Sequence, residues 1–321
     1  MIDQKKSSEI QPLEKNIFRL FDLTSRVAVV TGGAGLLGKE FCRTLTQAGA
    51  KVAIADINTR AAIDLANAIS EQLSLVSHTK RRQRGREQPQ AIPIQTDVTD
   101  PDSVQKMVSS TLHAFGRLDI LVNCAALDPK FDPQHLSERR LPTTKKTKQA
   151  QAISGAFKHS QEFERFPLDA WNQALEVNLT GAFLCCQAAV ASMLVQGGGV
   201  IVNLSSIYGL VAPDQRMYQR PGQPHQFKPV YYTVTKYGIL GLTKYLSTYY
   251  AGKNIRVNAI SPGGVYDGHD DDFVKAYSAR SVLGRMAEKD EINGALLFLV
   301  SDASKYMTGA NLVIDGGWTA W

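Results

Sequence analysis

Seven short apolar runs recur along the chain, separated by stretches whose apolar residues return at every third or fourth position. The runs are Val27 to Val30, Lys51 to Asp56, Ala91 to Gln95, Asp119 to Val122, Val200 to Leu204, Ile255 to Ile260 and Asn311 to Ile314. Most are rich in β-branched residues and continuous rather than alternating, as in strands buried on both faces. Between them, Leu36 to Ala48, Arg60 to Leu73, Asp102 to Phe115, Asn172 to Leu194 and Tyr232 to Tyr250 have helical periodicity. Strands that alternate with helices predict an α/β fold with one doubly wound parallel sheet of about seven strands and helices on both faces.

The pattern starts late and is interrupted three times. Residues 1–24 read as a polar extension whose IFRLF segment, Ile17 to Phe21, packs on the body, and residues 25–321 read as one domain. Near 78–90, 128–165 and 210–229 the periodicity lapses into long insertions. Loops of that length tend to be functional, so the second and third are expected to cover a substrate. With 44% hydrophobic and 21% charged residues in 321, the chain has the composition of a folded globular protein. No apolar run reaches the length of a membrane span, and the opening residues lack a signal peptide's apolar stretch, so a cytoplasmic protein without membrane contact is expected. Cys42, Cys124, Cys185 and Cys186 include no C-x-x-C pair and read as small buried residues.

The formal charge of +6 comes from two places. Lys80, Arg81, Arg82, Arg84 and Arg86 lie in the first insertion, and Arg139, Arg140, Lys145, Lys146 and Lys148 in the second, with Glu87 the sole acid within residues 78–90 and 139–148. Of the chain's 36 basic and 30 acidic residues, 26 basic and 29 acidic remain outside them. The body is slightly acidic. No aromatic residues interleave the basic ones, which argues against nucleic acid and leaves solvated loops or attraction of an anionic small molecule.

TGGAGLLG, Thr31 to Gly38, follows the first strand and opens the first helix. In that context Gly32, Gly33, Gly35, Leu36, Leu37 and Gly38 form a turn whose backbone can approach a pyrophosphate at a helix N-terminus, the hallmark of a Rossmann-type nucleotide site. Asp56 and Ile57 close the second strand, 18 residues or so beyond Gly38. A carboxylate there accepts bonds from ribose hydroxyls and repels a 2′-phosphate, which favours NAD, with NADP as the alternative.

Tyr232 and Lys236 stand four apart within a helical stretch, so both project from one face. An ammonium beside a phenol, together with an oxidised nicotinamide, favours the phenolate and suits the tyrosine to act as a base. Ser206 ends a strand-like run where its hydroxyl can hold a substrate oxygen, and Asn178 can anchor a water leading to Lys236.

The chain resembles the short-chain dehydrogenase/reductase family over about residues 26–321. The resemblance rests on the glycine turn, Asp97-Val98, NCAA at Asn123 to Ala126, Asn178, Ser206, Tyr232-x-x-x-Lys236, NAISPGG at Asn258 to Gly264 and the closing TGANLVIDGG. It implies that Asp97 and Val98 border the adenine, that Asn123 and Ala125 line the fourth strand end, and that Pro262, Gly263 and Val265 wrap the nicotinamide side. It also implies a homodimer or homotetramer. Leu36 departs from the compact branch, which has its middle glycine there, and the spacing Gly33, Gly35, Gly38 is that of the sugar-nucleotide branch. The short tail after Pro262 favours the compact branch. Ser206 and Tyr232 are 26 apart, about twice the family's usual separation. With DPKFD at Asp128 to Asp132, RMAEKDEINGA and the ending DGGWTAW, the chain is similar to dehydrogenases of surface-glycan and flagellin-modification pathways.

The expected activity is hydride transfer between NAD and a secondary alcohol or its ketone, possible substrates being a sugar or an anionic metabolite. Tyr232 is the expected base, Lys236 tunes it and binds ribose, Ser206 positions the substrate, and Asn178 supports a proton relay. Lys130 is the expected anion contact. Rival readings are a sugar-nucleotide epimerase or dehydratase and a cofactor-sensing binding protein without turnover. HDDD, His269 to Asp272, reads as helix capping rather than a metal site. Trp318 and Trp321 are expected to pack against a second subunit.

Overall fold

A computed structural model of the chain describes residues 16–77, 89–128, 162–220, 222 and 225–321. Seven strands form one sheet: β1 (Val27–Thr31), β2 (Lys51–Asp56), β3 (Ala91–Gln95), β4 (Ile120–Asn123), β5 (Gly199–Leu204), β6 (Ile255–Pro262) and β7 (Asn311–Ile314). Their order is β3-β2-β1-β4-β5-β6-β7, and every neighbouring pair is parallel. The chain moves outward from β1 in one direction and then returns to continue from β4 in the other. That reversal leaves a crevice beyond the carboxyl ends of β1 and β4, where open α/β sheets bind ligands.

The helices are α1 (Leu36–Gln47), α2 (Thr59–Ser77), α3 (Pro101–Phe115), α4 (Leu168–Leu175), α5 (Gly181–Val195), α6 (Val230–Tyr249), α7 (Asp271–Ser278) and α8 (Asn293–Val300). Side chains alternate across each strand, so Ala28 and Val30 of β1 meet Phe41 and Leu45 of α1 and Leu296 of α8, while Val29 meets Met107 of α3 and Ala189 of α5. Both faces of the inner strands are therefore dry, while β3 and β7 at the edges keep exposed positions. That is why the strands read as unbroken apolar runs.

Local signals set the helix ends. Asp100 accepts a bond from the Asp102 amide at 3.1 Å, Pro101 takes the first turn, and Gly116 closes α3 at φ 81°. The continuous helix expected over Asn172 to Leu194 is instead α4 and α5 joined by a π turn, Glu176–Thr180, with Asn178 buried in it. Such turns interrupt the helical ladder and concentrate at functional sites. The stretch Leu168–Val195 also has the length and hydropathy of a membrane span, although polar residues interrupt its apolar run; half of its most apolar window is buried within this chain.

The Ile17–Phe21 turn packs only in part: Leu20 and Phe21 are half-buried and the turn lies against Asp302–Ser304, while Ile17 and Phe18 are exposed at 59% and 78%. The contact with the sheet layers begins at Leu23, whose amide donates to Ala48 O at 2.8 Å. Most of 78–90 and of 128–165 falls outside the described residues, and Lys130 and both basic clusters fall there with them. Of the stretch 210–229, residues 210–220, 222 and 225–229 are described and form a cover. Its 3-10 turn, Gln215–Tyr218, buries Met217 and Tyr218, and Asp214, Arg220 and Lys228 tie it down through ion pairs to Arg280, Asp270 and Asp128.

Candidate active site

The parallel register brings the carboxyl ends of all seven strands to one edge. Thr31 of β1 pairs with Asn123 of β4 and Ala55 of β2, and Leu204 of β5 pairs with Ile260 of β6. The Thr31 hydroxyl accepts from the amides of Cys124 and Ala125 at 3.2 and 3.3 Å, which holds the β4 exit against the glycine turn.

Within that turn, the glycines that lack room for a side chain are Gly32, Gly33 and Gly38. Gly32 has φ 62°, and a Cβ there would stand 2.7 Å from Ala125 Cα; one on Gly38 would stand 2.1 Å from Gly32 O. Gly35 sits at the start of α1 with ordinary φ −77°. Gly32 and Gly38 thus stand six apart, as the compact branch's first and last glycines do, while Gly35, the middle glycine of the other branch's pattern, has the most room of the four. Leu36 and Ile57 remain partly exposed beside the turn, 36% and 40%, and Leu37 packs inward on the core.

Asp56 stands at the carboxyl end of β2. One oxygen accepts from the Ala34 amide at 2.9 Å and the other from the Asn58 amide at 2.8 Å. The cap of α2 belongs to Asn58, whose side chain accepts from the Ala61 amide at 3.1 Å. Asp56 is left to brace the glycine turn. A helix N-terminus behind a turn stripped of side chains, with a carboxylate at the neighbouring strand end, fits a dinucleotide.

Farther along the edge, Asp97 accepts from the Thr99 amide and hydroxyl, while Val98 packs on Gly181 at the start of α5, where a Cβ would approach it to 2.8 Å. The Asn123 side chain turns sideways into the sheet, donating to Asn203 Oδ1 at 2.8 Å, so only its backbone lines the edge, next to Ala125. Beyond Pro262, the Gly263 amide donates to Ile314 O at 2.8 Å, the Gly264 amide to the Tyr277 hydroxyl at 2.5 Å, and Val265 bridges to Ala287.

The structure brings Ser206, Tyr232 and Lys236 together. Lys236 is buried, and its Nζ donates to Leu204 O at 2.9 Å and lies 5.6 Å from the Tyr232 ring centroid. Burial lowers the ammonium pKa to about 8. Tyr232 keeps part of its surface open, yet desolvation by the dense packing around it raises its phenol well above the ordinary value. The Asp128 charge pushes in the same direction, and hydrogen bonding with Ser206 opposes both. Before a cofactor adds its charge, burial therefore outweighs the help that Lys236 was expected to give. Helix α6 comes this close to β5 because Gly209 has no side chain; a Cβ there would meet Ser205 Oγ at 2.4 Å and Lys236 O at 2.7 Å.

Asn178 does not use its side chain toward Lys236. Its Nδ2 donates to Leu127 O at 3.0 Å and its Oδ1 accepts from the Leu127 amide at 2.6 Å. It clamps the chain leaving β4, which presents Asp128.

Two site residues escaped the sequence reading. Lys228, delivered by the ordered cover, is buried and holds its Nζ 4.0 Å above the Tyr232 ring centroid and 2.5 Å from Asp128 Oδ1. Asp128 reads only as the start of DPKFD, Lys228 belongs to no motif, and the hundred residues between them hide the pair from any local pattern. Above them, Tyr208 meets Tyr232 and Trp318 edge-on at 6.4 and 5.9 Å, and Tyr277 stacks on Trp318 at 6.1 Å. Trp318, 4% exposed, is thus packed against its own chain rather than a second subunit, whereas Trp321 is 82% exposed.

Asp270 caps α7 by accepting from the Phe273 amide at 3.0 Å, and no cluster of metal-ligating side chains occurs among the described residues. All four cysteines are free, with burial pushing the thiol pKa of Cys124 and Cys186 to about 12. A cavity of about 380 Å³ opens at the amino ends of the strands, away from every predicted site residue. Its Arg26 and Arg117 are already paired with Asp302 and Asp119.

A family model described as enoyl-(acyl carrier protein) reductase matches residues 33–155 and 148–319. The chain belongs to the short-chain dehydrogenase/reductase family. Cis-4-hydroxycyclohexanecarboxylate dehydrogenase of Sinomonas cyclohexanicum is 33% identical over 300 residues, 92% of this chain and 97% of the relative. D-threitol dehydrogenase of Mycolicibacterium smegmatis is 34% identical over 307 residues, 93% and 95% of the two chains. Among solved structures, a short-chain dehydrogenase/reductase from Mycobacterium marinum superposes with a TM-score of 0.72 at 28% identity, over 96% of this chain and 100% of the other. A gluconate 5-dehydrogenase from Burkholderia cenocepacia, solved with NADP and tartrate, does so with a TM-score of 0.72 at 25% identity, over 95% and 100%. Like these relatives, this short-chain dehydrogenase/reductase is an oxidoreductase acting on CH–OH groups. The names of these four proteins lend no support to the expected kinship with surface-glycan pathways.

Proposed function

We propose that the enzyme oxidises a secondary alcohol with NAD, or reduces the matching ketone with NADH, on Tyr232, Lys236 and Ser206. The observation that carries this reading is the convergence of those side chains at the strand edge that also bears the glycine turn. The Ser206 hydroxyl holds the substrate oxygen, and the Tyr232 oxygen takes the alcohol proton. Lys236 holds positive charge beside the phenol and supplies ribose contacts. When bound, the nicotinamide supplies the hydride acceptor, chemistry that no side chain can provide. Gly32 to Gly38, Asp56 and Ile57 would hold the adenosine and pyrophosphate half, Asp97, Val98 and Ala125 the adenine and strand-edge side, and Pro262, Gly263 and Val265 the nicotinamide side. Asn178 fixes the β4 exit. Following NADH formation by absorbance over a panel of secondary alcohols tests the reading, and no NADH from any of them would refute it. A sugar-nucleotide epimerase would use the same triad, but the six-residue separation of the tight glycines favours the compact branch.

Cofactor choice rests on Asp56, whose carboxylate already sits against the turn and would meet the extra phosphate of NADP with like charge. NAD is expected to bind more tightly than NADP, and Asp56→Ala to narrow the gap. Calorimetric titration of both cofactors checks this, and tighter NADP binding by the wild type overturns it.

Assembly follows from the outer faces of α5 and α6. Phe183, Val195, Val234, Tyr237, Tyr245 and Tyr249 are exposed there, between 41% and 91%, on helices whose other faces are buried on the sheet. An apolar patch of this kind marks an interface, and two such helices suit pairing with their copies about a twofold axis. A homodimer or homotetramer is expected by sedimentation at micromolar concentration; a stable monomer rules it out. The free thiols suit the cytoplasm.

A further inference from the structure

Asp128 poses a problem for the chemistry beside it. Its charge raises the phenol pKa of Tyr232, working against the group that must ionise. It is nevertheless placed with care: Asn178 secures Leu127 through two bonds, and the next residue extends its carboxylate to Lys228. Lys228 in turn has both of its own backbone groups held by the Gln215 side chain, at 2.9 and 3.2 Å. The pair is lopsided. Lys228 is 9% exposed and roofed over the Tyr232 ring, while Asp128 is 51% exposed, and among the described residues its Oδ2 accepts no hydrogen bond.

An ion pair taken partly out of water costs stability unless its geometry is satisfied, so a pair that also hinders the base must serve another purpose. Its chemistry narrows what that is. A carboxylate only accepts and an ammonium only donates, whereas a hydroxyl does both and can bridge the two. A second carboxylate brought to the same place would face Asp128 with like charge. A hydrocarbon there would cover the free oxygen and leave it unpaired.

We propose that Asp128, with Lys228 behind it, reads a second hydroxyl on the carbon next to the one that reacts, so that the substrate is a vicinal diol of the alditol or sugar class. This rests on the alcohol-oxidising reading above. It replaces the anionic substrate expected from the basic insertions with a neutral, polyhydroxylated one.

The test uses the full-length protein with NAD and three matched probes: vicinal butanediol, secondary butanol and the β-hydroxybutyrate anion. The wild type is expected to prefer the diol over the mono-ol by about 100-fold or more in kcat/KM, because a site built for a hydroxyl rejects the analogue that lacks it. The hydroxy acid is expected to trail the diol. Asp128→Ala should bring the diol down to the level of the mono-ol without changing NAD affinity, and Asp128→Asn, which keeps an acceptor oxygen, should restore part of the preference. Lys228→Met is a second route to the same loss should Asp128→Ala not fold, and the wild-type ratio stands without either variant. Equal rates on diol and mono-ol, a preference for the hydroxy acid, or a preference untouched in both Asp128→Ala and Lys228→Met would overturn the inference while leaving alcohol oxidation intact. Failure of alcohol oxidation looks different: no probe and no other secondary alcohol would yield NADH.

Discussion

Tyr232→Phe is expected to lower turnover by at least about 100-fold, the loss typical when a general base is removed, while cofactor affinity barely changes. Phenylalanine keeps the ring beneath Lys228 and the edge contact with Tyr208, and loses only the ionisable hydroxyl. Because burial holds the phenol above its ordinary pKa, the reactive phenolate becomes more populated as pH rises, and alcohol oxidation should climb with pH in the wild type. That rising limb should be absent from the phenylalanine variant. Stopped-flow measurement of NADH formation across pH, paired with a cofactor titration, checks both halves. Near wild-type turnover would refute the assignment and would leave no ready substitute, since Tyr231 is 1% exposed and packed on Phe166 with ring centroids 5.8 Å apart.

Gly38→Ala is expected to abolish measurable dinucleotide binding. Its new methyl would stand 2.1 Å from Gly32 O and 2.8 Å from Gly33 Cα, backbone atoms that cannot rotate aside. The turn would have to open, and with it the amides at the head of α1 that receive the pyrophosphate. Gly35→Ala is the control. Its Cβ would lie 3.1 Å from Gly32 O with no left-handed backbone to strain, so cofactor affinity should fall far less. Measuring both variants by calorimetry decides which spacing is functional. If Gly35→Ala were the damaging one, the turn would work as in the sugar-nucleotide branch.

The seven strands and their parallel sheet were legible in the sequence because burial on both faces leaves no choice but continuous apolar runs, and the helices because one face must meet that sheet. The positions of Tyr232 and Lys236 on one face followed from helical repeat alone, and the glycine turn from its place between a strand and a helix. What depends on distant chain segments was not legible. Gly33 and Gly35 read as equals until folding set Val30 O and Ile54 against Gly33 and left Gly35 the roomier of the two. Asn178 read as a water anchor, yet a π turn aims its amide at Leu127, a partner 51 residues away. Trp318 read as an interface residue because termini are seldom buried, but Tyr208, Tyr277 and Arg280 give it a pocket within its own chain. Lys228 and Asp128 lay in the two insertions expected to cover the substrate, and Asp128 opened the DPKFD segment, but nothing in the sequence paired them. Their meaning arises only when folding sets the end of β4 beside the start of α6, and that contact is long-range packing, which no local pattern of residues encodes.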